Sequence, residues 1–270
     1  MSISVARPSP HLSGYVKQFY AVETSSDTSG TYTHRIVPTG LTEIMFFSGS
    51  LPKASDERKN ISERSILSGQ QKGFYDLIIP GKVSLFSIVF EPHGLMRFFD
   101  FSPADLYDRN TPLSLLNKEA CSEIEEKLNE AVSFTDKVMV AEKFLNNRFQ
   151  INKERYAFKR IKYCTQRIEN SKAIISIDLL ASEAFLSRRQ FERIFSEYVG
   201  SSPKQFLRTV RFQHALFWRS RDPNNNLTAL AYDCGYYDQS HMSNEFRQLS
   251  GMSPKEFFSA CEPESDLFSQ

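Results

Sequence analysis

Residues 177–207 written over residues 228–258 align at an offset of 51, placing Phe195 on Phe246, Gly200 on Gly251, Ser202-Pro203-Lys204 on Ser253-Pro254-Lys255 and Phe206 on Phe257. A duplication of this length limits the C-terminal part of the chain to two copies of one small supersecondary unit. Solenoids built on such periods need three or more units to cover their ends, so two copies point to a paired motif. Each copy reads helix, tight turn, helix. In the first, Ser176 caps IDLLASEAF and Ser187 caps RRQFERIFSEYV, whose Phe191, Ile194, Phe195 and Tyr198 share a face. Gly200 ends that helix, because glycine takes the left-handed conformation without a Cβ penalty. In the second, Leu227, Leu230 and Ala231 open a short helix that stops at Gly235, and Asp238 caps QSHMSNEFRQLS, which ends at Gly251. The pattern predicts a helix-turn-helix written twice, with Ser187 and Asp238 opening the second helix of each unit.

The solvent faces of those second helices suggest what the units do. Arg188, Arg189, Glu192 and Arg193 point outward on the first; Gln239, Ser240, His241, Ser243, Asn244 and Arg247 point outward on the second. Guanidinium, amide, hydroxyl and imidazole groups read base edges and hold phosphates in duplex DNA. The plainer alternative is that Arg and Gln are simply good surface helix formers. Between the units, Pro203 opens a helix expected to run to about Ser220, a rod of roughly 25 Å, while successive major grooves lie roughly 34 Å apart. Leu207, Val210, Leu216 and Phe217 form its core face, with Trp218 packing. Ser187, Arg208, Arg211 and Arg247, with Arg219, are the expected phosphate contacts. Charge follows the same division. The whole chain carries +1, but residues 153–260 hold 17 Lys and Arg against 11 Asp and Glu, a local +6, with −2 before them and −3 in the last ten residues.

The N-terminal half has a different period. From Pro8 to about Pro92, short β-branched and aromatic runs are cut by Gly, Pro, Asn and Ser, the pattern of an antiparallel β barrel or sandwich. The charged stretch DERKNISER, residues 56–64, reads as a hairpin excursion or mobile loop. After Pro112 the period becomes helical, with Leu115, Leu116, Ile124, Leu128 and Val132 on one segment and Phe134, Val138, Ala141, Phe144 and Leu145 on the next. The expected class is therefore α+β: a barrel with trailing helices over residues 1–150, an all-α domain of two helix-turn-helix units joined by a long helix over 151–260, and an acidic tail over 261–270.

Several chemistries lack their residues. Cys121, Cys164, Cys234 and Cys261 have no metal-ligand or paired spacing and are expected to be reduced and mostly buried. The N-terminal half has only His11, His34 and His93, too dispersed for a catalytic metal site, and no nucleophile elbow, Walker loop or Rossmann glycine pattern occurs. No enzyme, cofactor or metal is expected. His34 and Arg35 are expected to pair with Glu43 or a backbone carbonyl. Apolar runs such as SLFSIVF are too short for a membrane span and no signal segment is read, which leads to an expected cytoplasmic location. Phe19, Tyr20, Phe46, Phe47, Phe86 and Phe90 either pack the barrel or line a sensor pocket.

The segment GYYDQSHMSNEFRQLSGMSP, followed by KEFF, closely resembles the signature of the AraC/XylS family of bacterial transcription regulators. The resemblance covers residues 155–260 and places Arg211 where the family usually has Arg. It implies seven helices, recognition of adjacent major grooves by one chain, and activation through contact with RNA polymerase. It also implies base contacts from Arg188, Arg189, Glu192 and Arg193 and from Gln239, Ser240, Ser243 and Asn244. Met242 stands where the family usually has Phe, and Asn244 where it commonly has Arg or Lys. The N-terminal half resembles one subgroup's regulatory domain through Leu12-Ser13-Gly14-Tyr15-Val16, Arg35 to Phe46 and Ser68-Gly69-Gln70. This implies a cupin-like barrel, helices that dimerise, and control by a small-molecule effector or by dimerisation. The alternative is a protein-interaction module without an effector.

Overall fold

The computed structural model describes residues 2–24, 31–116, 118–150, 156–222 and 226–260. The expected domain boundary at 151 and the tail at 261–270, with Cys261, lie outside the described residues. The N-terminal strands are β1 (Ser2–Ala6), β2 (Val16–Glu23), β3 (Thr31–Ile36), β4 (Thr42–Phe47), β5 (Lys53–Ala54), β6 (Ser65–Ser68), β7 (Tyr75–Pro80), β8 (Ser84–Phe90) and β9 (Asn110–Pro112). They form two antiparallel sheets: one of six strands in the order β1-β2-β8-β4-β6-β9, and one of three in the order β3-β7-β5.

This corrects the expected closed barrel. The reason is visible along the central strands, which are apolar on both faces rather than one. Phe19, Ala21, Ile44, Phe46, Phe86 and Ile88 turn toward helices α1 (Lys118–Glu130) and α2 (Phe134–Arg148), meeting Ile124, Leu128, Ala141 and Leu145. Their neighbours Tyr20, Val22, Met45, Phe47 and Val89 turn the other way and meet Tyr75, Leu77 and Ile79 of the small sheet. Each face needs its own cover, so the six-stranded sheet lies between a sheet and a helical layer. Leu115, at the end of a 3-10 turn before α1, and Val132, between α1 and α2, are expected on the helical stripe but are exposed.

DERKNISER is an excursion between β5 and β6, one of the two readings expected, and it is anchored through two buried residues. Ile61 is buried in the inter-sheet core, and Lys59, 2% exposed, donates to Gln71 Oε1 and to Asp108 Oδ1, both at 2.5 Å. Glu43 also departs from expectation. It accepts hydrogen bonds from Tyr20 Oη and Ser87 Oγ, each at 2.8 Å, and burial pushes its carboxyl up. Arg35 does donate to a backbone carbonyl, that of Ser250, one of its two expected partners, and its ion-pair partner is Asp76 rather than Glu43.

Seven helices follow among the described residues: α3 (Tyr156–Asn170), α4 (Ile177–Glu183), α5 (Arg188–Val199), α6 (Pro203–Arg221), α7 (Leu227–Asp233), α8 (Gln239–Ser250) and α9 (Pro254–Ala260). One apolar core joins α3, α4, α5 and the first half of α6 through Phe158, Leu180, Phe191, Phe195 and Phe206. A second joins the later half of α6 to α7, α8 and α9 through Phe212, Leu216, Leu230, Met242, Phe246 and Phe257. Helix α6 thus serves both units, as the sequence pattern predicts, and Met242 fills the core at 0% exposure.

The repeat is not gapless. Ser176 and Asn226 cap α4 and α7, and buried Leu180-Ala181 corresponds to Leu230-Ala231, an offset of 50. The caps of α5 and α8, Ser187 and Asp238, are offset by 51. The second turn is therefore one residue longer, and the left-handed position that Gly235 occupies (φ 74°) falls in the first unit on Phe185 (φ 54°).

Candidate nucleic-acid interface

Helix α5 starts where Ser187 accepts from the Gln190 amide while the Gln190 side chain accepts from the Ser187 amide, a reciprocal cap that satisfies two orphan donors. Phe191, Phe195, Tyr198 and Val199 are buried, leaving Arg188, Arg189, Gln190 and Arg193 exposed and Glu192 half-buried. The arginines differ. Arg188 is held on two sides, its Nη1 at 3.1 Å from both oxygens of Asp178 on α4 and its Nε at 3.1 Å from Glu192. Arg193 pairs with Glu197 at 3.5 Å. Among the described residues Arg189 has no ion-pair or hydrogen-bond partner, so it is the guanidinium most readily offered to another molecule.

Helix α8 is capped by Asp238, whose carboxylate accepts from the His241 amide at 2.7 Å. Gln239, Ser240, Asn244 and Arg247 are exposed and His241 and Ser243 half-buried. Thr228 on α7 donates to Gln239 Oε1 at 2.8 Å, steadying that side chain from the first helix of its unit. Asp178 and Thr228, neither singled out in the sequence, thus perform parallel tasks, each orienting the first outward residue of the following helix.

Two expected phosphate contacts occupy other surroundings. Arg208 donates from Nε to Glu245 Oε1 at 3.0 Å, from Nη1 to Gln205 and from Nη2 to Gln248. Arg211 lies 3.9 Å from Glu245 Oε2 with its guanidinium over the Tyr236 ring, and its side chain is only 16% exposed. Both bridge α6 to α8 instead of standing in solvent. Arg219 lies over Phe258. Ser187 and Arg247 are exposed, as a phosphate contact requires. The signal for Glu245 was available: with Met242, Phe246 and Leu249 it occupies the apolar stripe of α8, and an acid on a core stripe calls for a buried cation.

Comparison with known proteins agrees with this geometry. Residues 180–260 match a family described as a helix-turn-helix domain, and residues 4–112 match a domain of unknown function, DUF6597. An uncharacterized HTH-type transcriptional regulator of Haemophilus influenzae is 36% identical over 81 residues, covering 30% of this chain and 27% of the relative. The HTH-type transcriptional activator RhaS of Escherichia fergusonii is 32% identical over 85 residues, 30% of this chain and 29% of the relative. The matched segment therefore spans less than a third of these relatives' own length. The structure of ToxT from Vibrio cholerae is similar over 96% of this chain and 98% of that one, with 11% identity and a TM-score of 0.50, a likeness of fold.

Proposed function

We propose that this chain, whose C-terminal domain belongs to the AraC/XylS family of helix-turn-helix regulators, is a sequence-specific DNA-binding transcription regulator that reads two adjacent major grooves. The supporting observation is that α5 and α8 expose equivalent first turns, each opened by a side-chain cap and each carrying polar groups suited to base edges. Base contacts are assigned to Arg188, Arg189, Glu192 and Arg193 on α5 and to Gln239, Ser240, His241, Ser243 and Asn244 on α8. Phosphate contacts are assigned to Ser187 and Arg247. Arg208 and Arg211 contribute positive potential from behind the α6–α8 seam. Activation through RNA polymerase and a cytoplasmic location accompany this reading; among the described residues no helix is long and apolar enough to cross a membrane.

The N-terminal domain, residues 1–150, is the regulatory half in this reading, acting through a small-molecule effector or as a homodimer. One observation favours its working as an interaction module. An open groove of about 290 Å³ lies between α1 and α2, lined by the apolar Ile124, Val140 and Phe144 and by Lys127, Lys143, Arg148 and Glu123, the last paired with Lys127. Side chains fill the space between the two sheets.

Selection of bound duplexes from a random pool, followed by footprinting, tests the reading. The expected footprint has two protected elements one helical turn apart, about 10 base pairs, and an affinity that falls steeply with salt. Equal retention of all sequences would sink the sequence-specific reading.

A further inference from the structure

The glycines that end the two second helices, Gly200 and Gly251, are equivalent in the repeat, and both are left-handed, with φ of 99° and 76°. Each rests on the N-terminal domain, at a different place. Gly200 lies against Pro103, where a Cβ would come within 3.1 Å of the carbonyl oxygen. The next residue, Ser201, donates to Gln70 Oε1 at 2.6 Å, and the Gln70 amide donates to the Gly40 carbonyl at 2.7 Å. Ser102 donates to the Glu197 carbonyl near the end of α5, at 3.0 Å.

The end of α8 is held separately, by the three-stranded sheet and the loop before β7. Arg35 Nη1 donates to the Ser250 carbonyl at 3.2 Å, while Asp76 holds its Nε and Nη2 at 2.8 and 2.9 Å. Phe74, with the Arg35 guanidinium 4.7 Å from its ring centre, covers Gly251 so closely that a Cβ there would meet the ring at 2.5 Å. A cation at this end also complements the negative pole of the helix. The connecting helix is anchored as well, since Gln213 donates to the Pro38 carbonyl at 2.7 Å.

Both outward-facing helices are therefore gripped at their C-terminal ends, leaving the opposite ends, from Ser187 and Asp238 onward, facing solvent. Two grips on one sandwich fix both the separation and the relative rotation of α5 and α8. Helix α6 alone is a weaker constraint, because a helix of some 28 Å bends, and the turns at its ends rotate. On B-form DNA one extra base pair moves the second target by about 3.4 Å and turns it by about 34°.

We propose that Arg35 and Phe74 are positioning residues: by holding the end of α8 at a fixed place relative to the end of α5, they set the base-pair spacing that the chain accepts between its two DNA elements. This rests on the DNA-binding reading above. The test is a competition among duplexes carrying the two selected elements at the best spacing and at one and two base pairs more or less, using the full chain. Wild type is expected to prefer one spacing by about tenfold over its neighbours, and Arg35→Gln and Phe74→Ala to reduce that preference to about twofold with affinity at the best spacing little changed. Phe74→Tyr, which keeps the ring over Gly251, is expected to restore it. Phe74 is 39% exposed, so its truncation leaves the cores intact and carries the test alone should Arg35→Gln not fold. Unchanged spacing preference in folded Phe74→Ala, or equal weakening at every spacing, overturns the inference while leaving DNA recognition standing. A wild-type chain that binds no duplex overturns both.

Discussion

Arg208, in the first half of α6, donates from Nε to Oε1 of Glu245 on α8 at 3.0 Å, and the Glu245 side chain is 10% exposed. Arg211 and His241 approach the same carboxylate, at 3.9 and 3.5 Å. A single acid on α8 thus faces two arginines of α6 and a histidine of its own helix. Removing one member of such a cluster leaves uncompensated charge, which costs more than the pair is worth over an apolar replacement. Glu245→Ala is expected to lower stability by about 3 kcal/mol, with a coupling of about 1–2 kcal/mol to Arg208→Ala in a double-mutant cycle. Denaturant unfolding checks both values; additive single effects would mean that the two residues stabilise the fold independently.

Phe185 stands at the turn of the first unit with φ of 54° and 81% of its surface exposed. A left-handed phenylalanine is strained by about 1–2 kcal/mol, and a ring this exposed returns little packing energy. Phe185→Gly relieves the strain at some cost in backbone entropy, and should raise stability by about 0.5–1 kcal/mol. A lower melting temperature for that variant would show that the ring does stabilise the turn.

His93 lies on the seam between the sandwich and α3, with Nε2 donating to the Gly14 carbonyl at 3.1 Å and Nδ1 3.2 Å from Thr165 Oγ1. Burial pushes its pKa down from 6.5 to about 4. Between those values the unfolded chain takes up a proton that the folded chain refuses, so stability falls as pH drops through this window and is whole above 6.5. Glu169 on α3, pushed up to about 7 by burial and by Glu91, has the opposite sign, its folded form favouring the proton as pH drops. The difference between wild type and His93→Gln isolates the histidine. Wild type is expected to lose up to about 3 kcal/mol more than the variant on acidification across the window. Parallel pH profiles would count against a buried neutral imidazole.

Lys59, 2% exposed and hydrogen-bonded to Gln71 and Asp108, pins the excursion between β5 and β6 to the loop before β9. Lys59→Ala is expected to cost about 2 kcal/mol, because it removes the buried one of Asp108's two cationic partners, Arg58 at 3.2 Å and the Lys72 amide at 3.0 Å remaining. Lys59→Met with Asp108→Asn should recover most of that loss. Chemical unfolding of the three chains decides, and full stability in Lys59→Ala would show the pairing to be dispensable.

What was legible in the sequence was local. Ser187, Gly200, Asp238 and Gly251 each announce a helix end through their own chemistry, and all four stand at the expected caps. The long helix from Pro203 was equally readable, since a capping serine and a first-turn proline leave few alternatives. Nonlocal features were harder to read. The shift in register between α4 and α7 was hidden because the strong identities lie in the second helices, while the first share only short apolar pairs. The strand pattern does not tell a barrel from two sheets, because runs such as FYAV suit any buried strand and only the long-range pairing of β3 with β7 separates two sheets from one. The sequence points Arg208 and Arg211 outward to phosphate, because nothing nearby in it shows that Glu245, 37 and 34 residues away, shares their side of α6.

The most direct test of the central claim is the base preference of single reader variants, measured position by position on the selected DNA. Arg189→Ala is expected to relax discrimination only within one element, and Gln239→Ala only within the other, each by about 1–3 kcal/mol at the affected base pairs. Preferences that stay unchanged in both variants, or that change at the same base pairs in both, would contradict two readers in adjacent grooves.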